Sequence, residues 1–203
     1  MDSWYFNGSQ RYHQPCSEGV HLFIQIISLV LDVVAGLIAG ACLVRLAMQW
    51  QRIPFNNPIG QFIFAVSDRL VMPLRRWVPA LGRLDTASLV GAWLVKLTQF
   101  IVLWLLGGGQ GPLLLVLVLS VIGVLQLAIT CLTAVVLLHA VLSWMQPGSM
   151  NFMLIDRLCQ AWLAPIRRTV PLVGGIDLSS LVLLVLLQIA SMVVGSIQMG
   201  LMH

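Results

Sequence analysis

The sequence predicts an all-α membrane protein: four transmembrane helices in two tandem repeats, each repeat carrying a basic amphipathic helix at the membrane interface. Three observations carry that expectation. Hydrophobic residues make up 59% of the 203 positions and charged residues only 9%, against about 25% charged in ordinary soluble domains. That leaves too little polar surface for a water-facing shell, so the bilayer must be the solvent. Four apolar stretches are each long enough, at about 1.5 Å per residue, to cross a hydrocarbon layer about 30 Å thick. Finally, one motif is written twice. Pro73-Leu74-Arg75-Arg76 returns 92 residues later as Pro165-Ile166-Arg167-Arg168, and the copies stay in step through Pro79/Pro171, Gly82/Gly174, Asp85/Asp177 and Ser88/Ser180. Identities held in one ungapped register mark a duplication. Upstream the register is 94, with Arg45 to Trp50 facing His139 to Trp144 and Asn57 facing Asn151.

Residues 1–19 are polar and aromatic. They lack the basic start and small-residue cleavage site of a signal peptide, so they are expected to remain as an extracytoplasmic segment. Repeat 1 covers 20–106, a glycine-rich outer turn 107–111, and repeat 2 112–203. The first span, Val20 to Trp50, is interrupted only by Gln25, Asp32, Arg45 and Gln49; Arg45 is expected to snorkel and Trp50 to sit at the interface. From Pro58 to Leu81, residues Ile59, Phe62, Ile63, Val66, Leu70, Leu74, Trp77 and Leu81 recur at three- and four-residue steps, one apolar helix face. Arg69, Arg75 and Arg76 are too many to bury in lipid, and Pro73 and Pro79 are expected to forbid one continuous straight helix. The segment should lie in the interface plane, and Asn151 to Pro171 repeats it. Gly82 and Gly174 turn the chain, and Asp85 and Asp177 are placed to cap the following spans. Those spans run from Leu84 to Leu106 and from Leu178 to about Met202, with Pro112 to Trp144 as the third.

Sidedness follows from arginine. Residues 51–84 hold Arg52, Arg69, Arg75, Arg76 and Arg83; residues 145–176 hold Arg157, Arg167 and Arg168; the opposite ends hold only Arg11. Both amphipathic segments are therefore expected in the cytoplasm and both termini outside the inner membrane. With two spans per repeat the halves share orientation, so a pseudo-twofold axis along the membrane normal is expected.

The formal charge of +4 is dispersed between spans and forms no stripe with interleaved aromatics, so nucleic acid is not expected as a partner. Cys16, Cys42, Cys131 and Cys159 have no Cys-x-x-Cys spacing, which supports neither a disulfide framework nor a metal site. Polar residues inside spans are where function is sought first. Asp32 corresponds to Gln126 and Lys96 to Gln188, so each half places one polar residue near mid-depth on each span. Asp32 and Lys96 are read as a buried ion pair, either helix-helix glue or part of an ion path. His139 corresponds to Arg45 and is read as a lipid-headgroup or partner contact. No nucleophile-base pairing, zinc-helix motif or paired-carboxylate set accompanies these residues, so no catalytic role and no cofactor are expected.

On these motifs the chain resembles the YggT family of bacterial membrane proteins, called YlmG in some lineages and also found in plastids. That family repeats an aromatic residue closing the first span, an Asn-Pro, a Pro-[Leu/Ile]-Arg-Arg and a Gly-x-[Leu/Ile]-Asp-x-Ser before the next span. The resemblance covers roughly residues 35–195 in both copies; copy two departs at Phe152, where Asn57-Pro58 has proline. It implies a non-enzymatic scaffold or assembly factor in envelope organisation and osmotic tolerance. The expected partners are anionic lipids, other membrane, division or envelope proteins, and further copies of the chain. The arginines expected to meet lipid or partner are Arg69, Arg75, Arg76, Arg83, Arg157, Arg167 and Arg168. The alternative function is a small oligomeric ion channel or transporter in osmotic or ion homeostasis.

Overall fold

The computed structural model describes residues 15–51, 58–76, 85–109, 111–145, 150–167 and 178–202. These form α1 (Pro15–Trp50), α2 (Pro58–Arg75), α3 (Thr86–Leu106), α4 (Leu113–Met145), α5 (Met150–Arg167) and α6 (Leu178–Met202), with no strand among the described residues. Four helices are long and apolar enough to span: Leu22–Trp50, Thr86–Leu106, Leu113–Ser143 and Ser179–Leu201. Their surfaces carry large exposed side chains such as Leu29, Leu37, Leu114 and Met192, the pattern of helices whose outer solvent is lipid. Helix α1 starts five residues before the expected span, at Pro15, because proline's fixed φ and missing N–H suit the first helical position.

Within each repeat the two spans pack closely and antiparallel: Asp32 meets Gln99 and Arg45 meets Asp85 across α1 and α3, while Gln126 meets Ser191 and His139 meets Ser180 across α4 and α6. The halves join through α3 against α4 and α1 against α4. Trp93 Nε1 donates to Ser120 Oγ at 3.0 Å, and Gly123 lies so close to Phe100 that an added Cβ would stand 2.7 Å from its ring. A twofold relation would pair α6 with α1 as α3 pairs with α4. Among the described residues no α6–α1 packing of comparable extent exists, so the expected pseudo-twofold is not how the halves meet.

Helix α2 closes the base of repeat 1 and α5 that of repeat 2. Val71 packs with Ala39, Cys42, Ala87 and Ala92, and Leu163 with Val136, Ile155, Cys159 and Leu183. A third cluster, Met48 with Ile63 and Leu158, ties α1, α2 and α5 together. The buried stripe of α2 runs through Ile63, Ser67 and Val71, while Phe62 and Met72 face outward beside Arg69 and Arg76. Both helices run through a proline near their ends: Pro73 and Pro165 each lie two residues before the helix end, where a missing N–H removes one terminal bond and interrupts no interior. Pro79, Pro171, Gly82 and Gly174 lie outside the described residues.

At the other end, Gly108, Gly109 and Gly111 turn α3 into α4 with φ of 85°, 67° and 100°, a left-handed backbone that glycine adopts without strain. A reporter cysteine for sidedness therefore belongs at Pro112, not in the glycines. In a Cys16→Ser background, which removes the native thiol expected outside, Pro112→Cys should react with an impermeant maleimide on intact cells, and Gln160→Cys only after permeabilisation. Cys159 will stay silent, since burial and then the nearby Asp156 charge push its thiol up to about 12. The reverse labelling pattern would overturn the charge argument.

Candidate functional site

The charged chemistry of the described residues gathers in three places, at the base of each repeat and at mid-depth in repeat 1. At the base of repeat 1, Arg45 on α1 does not snorkel: it is 2% exposed. Its Nη1 donates to Ser67 Oγ at 3.0 Å and to Asp68 Oδ1 at 2.5 Å, both on α2. Its Nε lies 3.7 Å from Asp85 Oδ2, and its guanidinium sits 4.2 Å over the Phe64 ring. An arginine held this way lacks the freedom to meet lipid.

Asp85 is the hub. It occupies the N-cap position of α3, and its backbone oxygen accepts from the Ser88 N–H at 3.0 Å, but its carboxylate makes no cap hydrogen bond. The expected capping role is therefore corrected. Oδ2 instead accepts from Arg75 Nη2 at 2.8 Å and Ser88 Oγ at 2.9 Å, because two guanidinium groups offer a buried carboxylate more than the weak field of a helix end does. Burial pushes this carboxyl up, yet the hydrogen bonds from Arg75 and Ser88 and the Arg75 charge outweigh it and hold it below the ordinary carboxylate value.

The base of repeat 2 rebuilds the cluster with different residues. His139, fully buried, stands where Arg45 stands; its Nε2 is 2.9 Å from Asp156 Oδ1 and its Nδ1 3.2 Å from Ser180 Oγ. Arg167 Nη2 donates to the same Asp156 oxygen at 3.0 Å, as Arg75 does to Asp85. Phe152 stacks on the imidazole at 5.3 Å. Asp156 occupies the register position of Phe64, so the carboxylate comes from the amphipathic helix here; Asp177 lies outside the described residues. His139 is thus an internal ligand, not the lipid or partner contact expected of it.

Arg75 and Arg167, expected on the lipid or partner surface, spend their guanidinium groups inward on Asp85 and Asp156. Arg69, Arg76 and Arg157 face outward; Arg83 and Arg168 lie outside the described residues. Gln51 Nε2 donates to the Leu158 carbonyl at 2.8 Å, linking the end of α1 to α5. Above this contact opens an apolar groove of about 1200 Å³, lined by Leu43, Ala47, Trp93, Val124, Leu132 and Leu158 among others, with Arg157 and Gln160 at a polar recess beside it.

At mid-depth Asp32 and Lys96 do meet, with Nζ 3.8 Å from Oδ1, but not as the buried pair expected, since the Asp32 side chain is 67% exposed, and a residue absent from the sequence reading joins them. Gln99 Nε2 donates to Asp32 Oδ1 at 2.5 Å, and Gln99 Oε1 accepts from Lys96 Nζ at 2.8 Å. In repeat 2 Gln126 Nε2 donates to Ser191 Oγ at 2.7 Å, and Ser191 is the register counterpart of Gln99. Gln188 takes no part and is exposed. The repeat register applied to every polar residue in the spans, rather than to charges first, would have found Gln99 and Ser191.

The model of the CCB3/YggT family matches residues 24–106 and 112–198. The chain is 33% identical over 183 residues to Escherichia coli K12 "Uncharacterized protein YggT", covering 84% of this chain and 90% of that one. It is 35% identical over 169 residues to an uncharacterized protein of Pseudomonas aeruginosa (81% and 86% covered) and 34% identical over 158 residues to one of Vibrio alginolyticus (76% and 85%). No solved structure matches it.

Proposed function

We propose that this chain, which belongs to the CCB3/YggT family, is a non-enzymatic scaffold of the inner membrane. In this reading its two basic helices form a fixed cytoplasmic platform for anionic lipid and partner membrane or envelope proteins, in support of envelope organisation and osmotic tolerance. The observation that supports it most is the bracing of both helices. Each repeat commits one buried basic side chain, Arg45 or His139, one carboxylate and the first arginine of its Arg-Arg pair to fix α2 or α5 against the spans. Outward-facing Arg69, Arg76 and Arg157 are left on rigid supports, and fixed cations bind an anionic surface without the entropy cost of ordering a loop.

The division of labour among arginines gives the test. Arg76→Glu with Arg157→Glu should leave folding intact and weaken retention of phosphatidylglycerol by about tenfold or more, at about 1 kcal/mol per charge near an anionic surface. Native mass spectrometry of protein released from mixed-lipid nanodiscs measures this. Arg75→Glu should instead destabilise the fold by setting a second carboxylate against Asp85. Unchanged phosphatidylglycerol retention in the double variant would remove the platform reading.

The charges at mid-depth support the second reading, a small oligomeric channel or transporter, since ionised groups inside a span mark ion paths more often than chance. Ion flux through purified protein in liposomes separates the two.

A further inference from the structure

The interface between the two repeats has no counterpart inside the chain, although the sequence supplies both of its faces a second time. Three contacts define it: Trp93 with Ser120, Phe100 with Gly123, and Gly40 with Cys131, where a Cβ on Gly40 would stand 3.2 Å from Sγ. Carried forward by the repeat register, these positions become Val185 with Ile26, Met192 with Leu29, and Ala134 with Leu37. All six side chains are exposed; Ile26 is 58% and Met192 67% exposed. Trp against Ser becomes Val against Ile at nearly equal volume, whereas Met192 against Leu29 is bulkier than Phe100 against Gly123, where even a Cβ would stand 2.7 Å from the ring, so α6 and α1 would meet at a wider spacing than α3 and α4.

Exposed apolar residues in a span ordinarily face lipid, but this surface also carries polar groups that lipid does not accept. Asp32, with 67% of its side chain exposed, shares α1 with Leu29 and lies near mid-depth. Gln188, exposed at mid-depth on α6, stands between Val185 and Met192. In the existing interface Lys96 passes 3.8 Å from a Cβ on Gly123, one helical turn from Gln126. Lys96 corresponds to Gln188, Gly123 to Leu29 and Gln126 to Asp32, so a contact in the same register sets Gln188 against Leu29, one helical turn from Asp32, within reach of an amide that can donate to its carboxylate.

We infer that the occupant of this surface is a second copy of the chain: α6 of one copy packs on α1 of the next as α3 packs on α4, with Gln188 donating to Asp32 across the contact. A heterologous contact of this kind closes into a ring or extends as a row within the membrane plane. The ends also fit. Helix α6 finishes and α1 begins at the end of the bundle where residues 107–112 connect α3 to α4, so two termini stand where the turn stands. The inference is independent of whether the basic helices bind lipid.

Cysteine cross-linking in native membranes tests it. Ile26→Cys in one tagged copy and Val185→Cys in a differently tagged copy, expressed together, should form a mixed disulfide on mild oxidation, as should Leu29→Cys with Met192→Cys. Leu137→Cys with Val185→Cys, both exposed but on unmatched faces, should not. Gln188→Leu, at a position without an internal partner, should lower the cross-linked fraction by about threefold, the worth of one interhelical hydrogen bond. Cross-linking of the matched pairs no greater than that of the control pair, in protein that fractionates with membranes as the parent does, would overturn the inference. So would a Gln188→Leu chain that cross-links as well as the parent.

Discussion

Asp85→Leu should destabilise the protein by about 3 kcal/mol, the low end for removing one partner of a buried ion pair. The reason is the inequality of what remains. Arg45, 2% exposed, would keep Asp68 and Ser67 but lose the buried carboxylate beside it, while Arg75, about half exposed, would return to solvent. Arg45→Met should cost about half as much, because Arg75 and Ser88 still hold Asp85 and the Asp68 side chain is 37% exposed, so that its unpaired charge can be solvated at modest cost. Unfolding free energies in mixed micelles measure both, and equal costs would mean that Arg75 does not compensate Asp85. The pH dependence has a fixed sign. Asp85 titrates lower in the folded protein than in the unfolded chain, so its contribution is complete above the ordinary carboxylate value and fades as pH falls through the lower folded value. The gap between parent and Asp85→Asn should therefore narrow in acid.

These clusters show how far the sequence could be read. The spans were legible because a helix in lipid must be apolar along its whole length, and composition alone carries that signal. The ends of α2 and α5 were less so, since the rule against proline applies to helix interiors and Pro73 and Pro165 sit in final turns. The role of the arginines was hidden for a different reason. Charge pattern places Arg75 and Arg76 at the interface but cannot tell which one turns inward, because the carboxylate that decides it, Asp85, is ten residues on and approaches only through the fold. Repeat 2 shows the same limit: Asp156 looks like a surface residue of a polar helix face until His139 and Arg167 converge on it. Gln99 was missed because an amide carries no charge to draw attention, although it makes the closer contact with Asp32.

Asp32→Asn should be the most costly change at mid-depth, at about 3–5 kcal/mol. Lys96 is 9% exposed, and without Asp32 its ammonium would keep only the Gln99 oxygen inside the bundle. Lys96→Met should cost less, since Gln99 still donates to Asp32. The double change Asp32→Asn, Lys96→Met removes both charges and should recover most of the stability, whereas Gln126→Leu in repeat 2 should cost only about 0.6 kcal/mol because no ion is stranded there. Function then separates the two readings. For a scaffold the charges serve packing, so the double variant should regain growth at high osmolarity along with its stability. A double variant that is as stable as the parent in micelles yet fails under osmotic stress, and carries no ion flux where the parent does, would make the Asp32–Gln99–Lys96 chain an ion path and the protein a channel or transporter.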